Sequence, residues 1–170
     1  MHETTEDLER LQDLLARSMA AAGTHLAGII TADRRPDATE LSRGLDGMRL
    51  LALATVTADG RPLVGPVDGV FYRGRFYFGS SPDSVRFRHI RHRPAVSATH
   101  LPGEEFAVTV HGTAHFVDTA ASEHAGFRRA LLDIYVPRYG AQWEQWLDSG
   151  PLYACIDADR MFAFRAGSPV

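Results

Sequence analysis

The sequence has no lysine, a single cysteine and no long apolar run. All 18 basic residues are arginine and the formal net charge is −3, a balance that argues against a general nucleic-acid-binding protein. With Cys155 alone, neither an internal disulfide nor a thiol-rich metal cluster can form, and a reducing compartment suits the chain. No apolar stretch reaches the roughly 18 residues of a membrane span, and the acidic, polar start is unlike a secretion signal. These absences predict a cytoplasmic protein that binds neither membrane nor nucleic acid.

What is present fits one globular domain. The chain has 170 residues, of which 45% are hydrophobic and 23% are charged. At this length about 70% of the surface of the unfolded chain can be buried on folding. We predict a single domain over residues 1–170, with a helical lead-in at 1–48, a barrel core at 50–118, helices at 119–149 and closing strands at 151–166.

The sequence predicts helices in the first 48 residues, once in the middle of the barrel segment and again between residues 119 and 149. Apolar residues spaced three and four apart predict an amphipathic helix over Thr5–Ala22, and a shorter helix is expected over Asp37–Met48. Ser81 as N-cap and Pro82 as the first helical residue predict a third helix, which Pro94 closes. Two further helices are expected, over Thr119–Tyr139 and Ala141–Leu147.

Short apolar runs separated by turn residues begin at residue 50, a pattern typical of antiparallel strands. About six or seven strands with one helix between two hairpins predict an α+β, mainly β fold, in which a closed or nearly closed barrel carries helices on its outside. The polar residues Asp157, Ala158 and Asp159 are expected to join the last two strands. The predicted runs are Leu50–Thr57, Leu63–Val67, Gly69–Arg73, Arg75–Gly79, Ala95–Leu101, Phe106–Val117, Leu152–Ile156 and Met161–Phe164.

The segment that leads into the third helix has the composition of a phosphate site. Free backbone N–H groups and the positive end of the helix dipole meet there with the hydroxyls of Ser80, Ser81 and Ser84, and Arg86 follows within the first turn. The alternative is a plain capped helix with a solvated basic face, which spacing alone favours because such helix starts are common. Asp83 repels a phosphate unless its side chain points away.

A second candidate feature is a strand that is rich in glycine and proline. Such residues weaken a strand interior and mark an edge, a bulge or a place where a flat group approaches the backbone. The main chain of this stretch, Pro62–Gly69, is a candidate surface for the polar edge of a planar ring, and an irregular edge strand is the alternative.

Four segments, in this order, carry a family resemblance: Leu53–Pro62, Phe76–Gly79 followed by Ser84-x-Arg86, Arg93–Ser97, and Val110-x-Gly112-x-Ala114. Together they resemble the pyridoxamine 5′-phosphate oxidase-like superfamily of FMN-binding split β-barrels. The resemblance covers roughly residues 50–118 and implies a split β-barrel that works as a homodimer, with two cofactor sites at the interface. It also implies that Ser84 and Arg86 hold the flavin phosphate, with Ser80 and Ser81 nearby, and that Gly65 to Asp68 lie along the isoalloxazine.

The same resemblance implies an FMN-dependent oxidoreductase with a small-molecule substrate, and it assigns no catalytic residue. True pyridoxamine-phosphate oxidases end in an Arg-x-His substrate motif, which the last ten residues, Met161–Val170, do not contain. The vitamin B6 reaction is therefore not expected. Because some relatives bind the deazaflavin coenzyme F-420 and others bind haem, two alternatives stay open. These are a deazaflavin-dependent reductase and a flavin- or haem-binding module without turnover.

The histidines and tryptophans have simpler interpretations. His111 and His115 are four residues apart on one strand and therefore point to the same face, but no carboxylate of that strand shares this face with them. They are expected to be packed or surface residues, and no metal site is predicted. Trp143 and Trp146 are expected to be core or dimer-interface anchors.

Overall fold

Six antiparallel strands form a closed barrel in the order β1-β2-β3-β6-β5-β4. The structure is a computed structural model, and it describes residues 1–166. Each strand has a hydrogen-bonded neighbour on both sides over at least part of its length, so few of the sheet edges that invite aggregation stay exposed. The predicted α+β, mainly β barrel is thereby confirmed. The strands are β1 (Met48–Val56), β2 (Pro62–Tyr72), β3 (Arg75–Ser80), β4 (Ala95–His100), β5 (Phe106–Val117) and β6 (Leu152–Arg165).

Helices lie on the outside and at one end of the barrel. The first helix is the one that the amphipathic pattern predicted, and it begins at a capping box in which Thr4 and Asp7 exchange hydrogen bonds. A short helix at Thr24–Ile29 falls in a segment that carries no helical pattern, and the sequence did not predict it. Within residues 1–166 no helix is long and apolar enough to cross a membrane. The helices are α1 (Thr5–Ala20), α2 (Thr24–Ile29), α3 (Ala38–Gly44), α4 (Val85–His92), α5 (Ala125–Tyr139) and α6 (Gln142–Asp148).

Side chains alternate between the two faces of each strand, and the apolar ones form two separate clusters. One fills the barrel interior, where α4 closes an end of the barrel with Phe87 and Ile90. The other lies outside the barrel, where the outer faces of β2, β3 and β6 pack against α5 and α6. Successive residues of a strand point to opposite faces of the sheet, so one strand contributes side chains to both clusters. In β2, for example, Val67 and Phe71 point inward while Val70 points outward.

The glycine-rich strand β2 is continuous, so our prediction of two runs with a break before Gly69 is wrong. A Cβ atom on Gly69 would lie 2.5 Å from Cδ1 of Leu51 on the neighbouring strand. Glycine is therefore needed for close packing between β1 and β2 rather than for a turn. One uninterrupted strand of 11 residues results.

The last strand, β6, also contradicts our prediction of two strands joined by a turn. His111 of β5 pairs with Arg160, and Gly112 pairs with Ala158, so Asp159 is an extra residue in the ladder. This is a β-bulge, which leaves one residue unpaired and bends the strand without ending it. The polar residues that suggest a turn in the sequence are thus accommodated inside a single strand of 14 residues.

Candidate functional site

Helix α4 begins about one helical turn later in the chain than the sequence predicts. Ser84, and not Ser81, is the N-cap, because its Oγ accepts a hydrogen bond from the Phe87 backbone N–H at 3.4 Å. The Ser84 N–H donates to the carbonyl of Ser81 at 2.9 Å, so Pro82 lies in the turn before the helix. Our assignment of Ser81 and Pro82 to the helix start is therefore wrong. The chain still delivers the free N–H groups of a helix start close to the three serines.

Arg86 reaches from the first turn of α4 back to β2. Its Nη2 donates to the carbonyl oxygen of Pro66 at 2.9 Å. The side chain is half-buried, and no carboxylate in residues 1–166 forms an ion pair with it. Burial accordingly lowers the pKa of the guanidinium below its usual value, since no counter-charge offsets the loss of water. A half-buried cation in this state favours an anionic ligand.

The part of β2 that Arg86 reaches has one free edge. β3 pairs with β2 only from Gly69 to Tyr72, while β1 pairs with it from Pro62 to Val70. Between Pro62 and Asp68 the second side of β2 therefore has no strand neighbour among residues 1–166. Pro66 suits that edge because it has no N–H to leave unpaired. Backbone groups at such an edge are free to bind the polar rim of a flat ligand.

Two arginines of α4 secure the turn in front of the helix. Arg88 Nη1 donates to the carbonyl of Asp83 at 3.1 Å, and Arg91 Nη2 donates to the carbonyl of Pro82 at 3.0 Å. The side chain of Asp83 itself is exposed to solvent. These two hydrogen bonds tie α4 to the turn that carries Asp83.

The candidate residues separate into four places. Gly65, Pro66 and Arg86 meet at the free edge of β2, where a Cβ on Gly65 would lie 3.5 Å from Arg86 Nη2. Val67 is buried in the barrel core, so only its backbone can serve a ligand. Ser84 caps α4, while the remaining three residues, Asp68, Ser80 and Ser81, line a cavity on the outer face of the barrel.

That cavity has a volume of about 540 Å³ and lies between the outer faces of β2, β3 and β6 and the helices α5 and α6, within the roughly 300–1,000 Å³ of small-molecule sites. We define the aromatic cavity by the residues on its wall. Half of them are aromatic residues that the sequence did not assign to any site. They are Tyr77, Tyr135, Tyr139, Trp143, Trp146 and Tyr153.

The aromatic rings of α5 and α6 form a layered wall. The Tyr135 ring stacks on Trp143 with centroids 4.6 Å apart and on Tyr139 with centroids 6.1 Å apart. Trp143 is buried, as expected of a core anchor, whereas Trp146 is 49% exposed. Burial raises the pKa of Tyr77 to about 12 and raises the pKa values of Tyr135 and Tyr153 as well. The phenols therefore stay protonated and uncharged at neutral pH.

The histidines of β5 are surface residues. His111 Nδ1 lies 2.7 Å from the hydroxyl of Ser97, and both His111 and His115 are exposed. Across the described chain, no three histidine, cysteine, aspartate or glutamate residues are grouped so that they could hold a metal ion.

The comparison with known families agrees with this geometry. A sequence model described as pyridoxamine 5′-phosphate oxidase matches residues 38–152, which include the barrel from β1 to β5 and the aromatic helices. The chain belongs to the pyridoxamine 5′-phosphate oxidase family. The resemblance drawn from the sequence is thereby confirmed. No curated protein matches the sequence of this family member at a significant level.

Solved structures with the same fold bind different cofactors. HutZ, a haem storage protein from Vibrio cholerae, has a TM-score of 0.58 at 19% identity, over 76% of this chain and 93% of that one. A FAD-binding protein from Mesorhizobium loti has a TM-score of 0.55 at 20% identity, over 76% and 93%. An F-420 reductase has a TM-score of 0.51 at 18% identity, over 69% and 91%. At such identities the likeness shows the fold alone.

Proposed function

We propose that this family member is an FMN-dependent oxidoreductase that acts on a small molecule. The observation that carries the proposal is Arg86, a half-buried cation that has no carboxylate partner among residues 1–166 and lies at the free edge of β2. A phosphate supplies the missing counter-charge, and the free edge offers backbone groups to a flat ring. FMN carries both a phosphate and a flat ring.

The residues present fit that cofactor. Arg86 and the start of α4 at Ser84 would hold the phosphate, with Ser80 and Ser81 close by, and the main chain from Gly65 to Asp68 would lie along the isoalloxazine. At Gly65 the absence of a Cβ leaves the space that Arg86 Nη2 borders. When bound, a flavin supplies the hydride or electron transfer, and the protein supplies position and electrostatics.

A second copy of the chain is proposed to cover the outer face of β1, β2 and β4. Leu50 is 60% exposed, Val64 is 68% exposed and Leu101, just beyond β4, is 66% exposed. Ala54 pairs directly with Val64, and Ala52 pairs with Thr99, so these strands present one continuous face. An exposed apolar face of this kind favours association. We therefore expect a homodimer, with the cofactor sites close to the interface because β2 contributes to both.

The dimer can be tested with one substitution. Val64→Arg places a charge in the middle of the proposed interface and is expected to raise the dimer dissociation constant at least about thirtyfold, the effect of a hot-spot residue. Light scattering at micromolar concentration measures the mass. Gln145→Arg introduces the same side chain at an exposed position of α6 and should leave the mass unchanged. A wild-type monomer at that concentration would contradict the proposal.

The choice between FMN and its alternatives can be made from a spectrum. The purified full-length protein is expected to be yellow with a flavin absorption band, and the mass of the released cofactor is expected to be that of FMN. A colourless protein that binds deazaflavin coenzyme F-420 would replace the proposal by a deazaflavin-dependent reductase. A Soret band on addition of haem, without flavin binding, would replace it by a haem-binding module. The cytoplasmic location stays a prediction.

The exposed histidines provide a separate test of the haem alternative. Replacing both His111 and His115 with glutamine is expected to leave the cofactor content unchanged, because the two side chains are exposed and His111 already contacts Ser97. Absorbance of the purified variant measures that content, and circular dichroism checks its fold. A folded variant that has lost all cofactor would indicate that one of these histidines is a ligand.

A further inference from the structure

The aromatic cavity has a charge pattern of its own. Among the described residues that line it, Asp68 is the single charged one. The carboxylate forms no ion pair within residues 1–166. Asp68 lines the same cavity as Tyr135 and Tyr153, and its negative charge adds to the effect of burial in raising the pKa values of both phenols. The cavity therefore combines one uncompensated negative charge with neutral phenols.

The wall of the cavity suits a flat ligand. The rings of Tyr139 and Trp146 are 45% and 49% exposed, which leaves ring surface available at the mouth. Tyr135 lies nearly parallel to Tyr139 and to Trp143, with interplanar angles of 17° and 13°. Aromatic faces attract other flat rings by stacking. They also attract cations, since the face of an aromatic ring carries partial negative charge.

One cation stands near the mouth. The guanidinium of Arg138 lies 5.5 Å from the centroid of the Tyr139 ring, and Arg138 lowers the pKa of Tyr135 as a minor effect. Arg138 does not line the cavity and is not paired with Asp68. It covers part of the Tyr139 ring, whereas the exposed carboxylate of Asp68 at the cavity wall has no ion-pair partner within residues 1–166.

We propose that the aromatic cavity binds the substrate and selects flat, conjugated molecules that carry a positive charge. The positive charge of the ligand lies beside the Asp68 carboxylate. Its conjugated ring stacks on the rings of Tyr139 and Trp146 at the mouth of the cavity. The assignment as a substrate site rests on the proposed function, because Asp68, Ser80 and Ser81 line the cavity and also belong to the segments where the flavin is proposed to lie. The binding preference itself rests on the cavity alone.

The sequence provides a direct reporter of binding. The chain has two tryptophans, and both of them, Trp143 and Trp146, line the cavity. Tryptophan fluorescence of the full-length, flavin-free protein therefore reports on this cavity, and calorimetry gives an independent affinity. The probes are N-methylquinolinium as the cation, quinoline as the neutral ring at about pH 8, and naphthoate as the anion. The cation is expected to bind about ten times more tightly than the anion, as one carboxylate contact in partly screened surroundings predicts.

The carboxylate can be removed without changing its shape. Asp68→Asn is expected to weaken binding of N-methylquinolinium about tenfold and to leave quinoline nearly unchanged. Asp133→Asn on α5 makes the same chemical change outside the cavity, at a carboxylate paired with Arg129, and should alter none of the affinities. Equal binding of cation and anion by the wild type, or equal cation affinity in Asp68→Asn and wild type, would overturn the proposal. So would the failure of all three probes to bind.

Repeating the titration with saturating FMN separates this proposal from the proposed function. Unchanged cation preference in the presence of bound FMN supports a substrate site beside the cofactor. Competition between FMN and the probe would assign the cavity to the cofactor and overturn the substrate assignment. A protein that binds no flavin but keeps the cation preference would refute the oxidoreductase and leave the binding site standing.

Discussion

Replacing Arg86 with alanine is expected to weaken FMN binding about ten- to a hundredfold, because a charge-assisted contact contributes roughly 1.5–3 kcal/mol. Among residues 1–166 the half-buried guanidinium donates only to the Pro66 carbonyl, so its charge remains available for a phosphate. Arg86→Glu should be worse, since it places a negative charge beside the phosphate. Quenching of flavin fluorescence during titration measures both affinities.

Two controls separate phosphate binding from general effects. Riboflavin lacks the phosphate, so its weaker binding should hardly depend on Arg86. Arg129→Ala removes the same charge from α5, where Arg129 is exposed and pairs with Asp133. That variant should weaken the affinity for FMN by less than about fivefold, as expected for an exposed charge. Equal losses for riboflavin and FMN, or no loss for either, would remove Arg86 from the phosphate site.

Replacing Gly112 with alanine is expected to destabilise the protein by about 3 kcal/mol or more. A Cβ at this position would lie 2.0 Å from the backbone oxygen of Asp157 and 2.9 Å from its carbonyl carbon. Backbone atoms cannot move aside as a flexible side chain can. The pairing of β5 with β6 beside the bulge would have to shift.

Thermal unfolding measures the effect. For a chain of this size the melting temperature should fall by roughly 6–12 °C for 3 kcal/mol. Gly28→Ala serves as the control, because its Cβ would meet no atom within 4 Å and its backbone is helical. That variant should be neutral or slightly stabilised. Melting temperatures that fall equally in both variants would show that the close approach at Gly112 does not hold in solution.

Much of the barrel could be predicted from local pattern, because inward and outward residues alternate along each strand. The errors arose where polar or flexible residues serve packing between strands. Gly69 suggests a turn but gives Leu51 the space it needs, and Asp159 suggests a turn but forms a bulge. Both effects depend on residues of the neighbouring strand, which the pattern of a single segment does not contain.

The candidate site was predictable only in part. Ser84 and Arg86 were singled out by their position after a strand, and the structure places Arg86 against the Gly65 to Asp68 segment, although its role in cofactor binding stays a prediction. The aromatic cavity was missed because its walls come from distant parts of the chain. The available signal was the spacing of three and four among the aromatic residues of α5 and α6. They are Tyr135, Tyr139, Trp143 and Trp146.

A crystal structure of the full-length protein with FMN tests the central claim most directly. The account predicts that a phosphate oxygen lies within hydrogen-bond distance of the Arg86 guanidinium, at the start of α4, with the isoalloxazine along Gly65 to Asp68. A phosphate bound elsewhere, with Arg86 still bonded only to the Pro66 carbonyl, would contradict it.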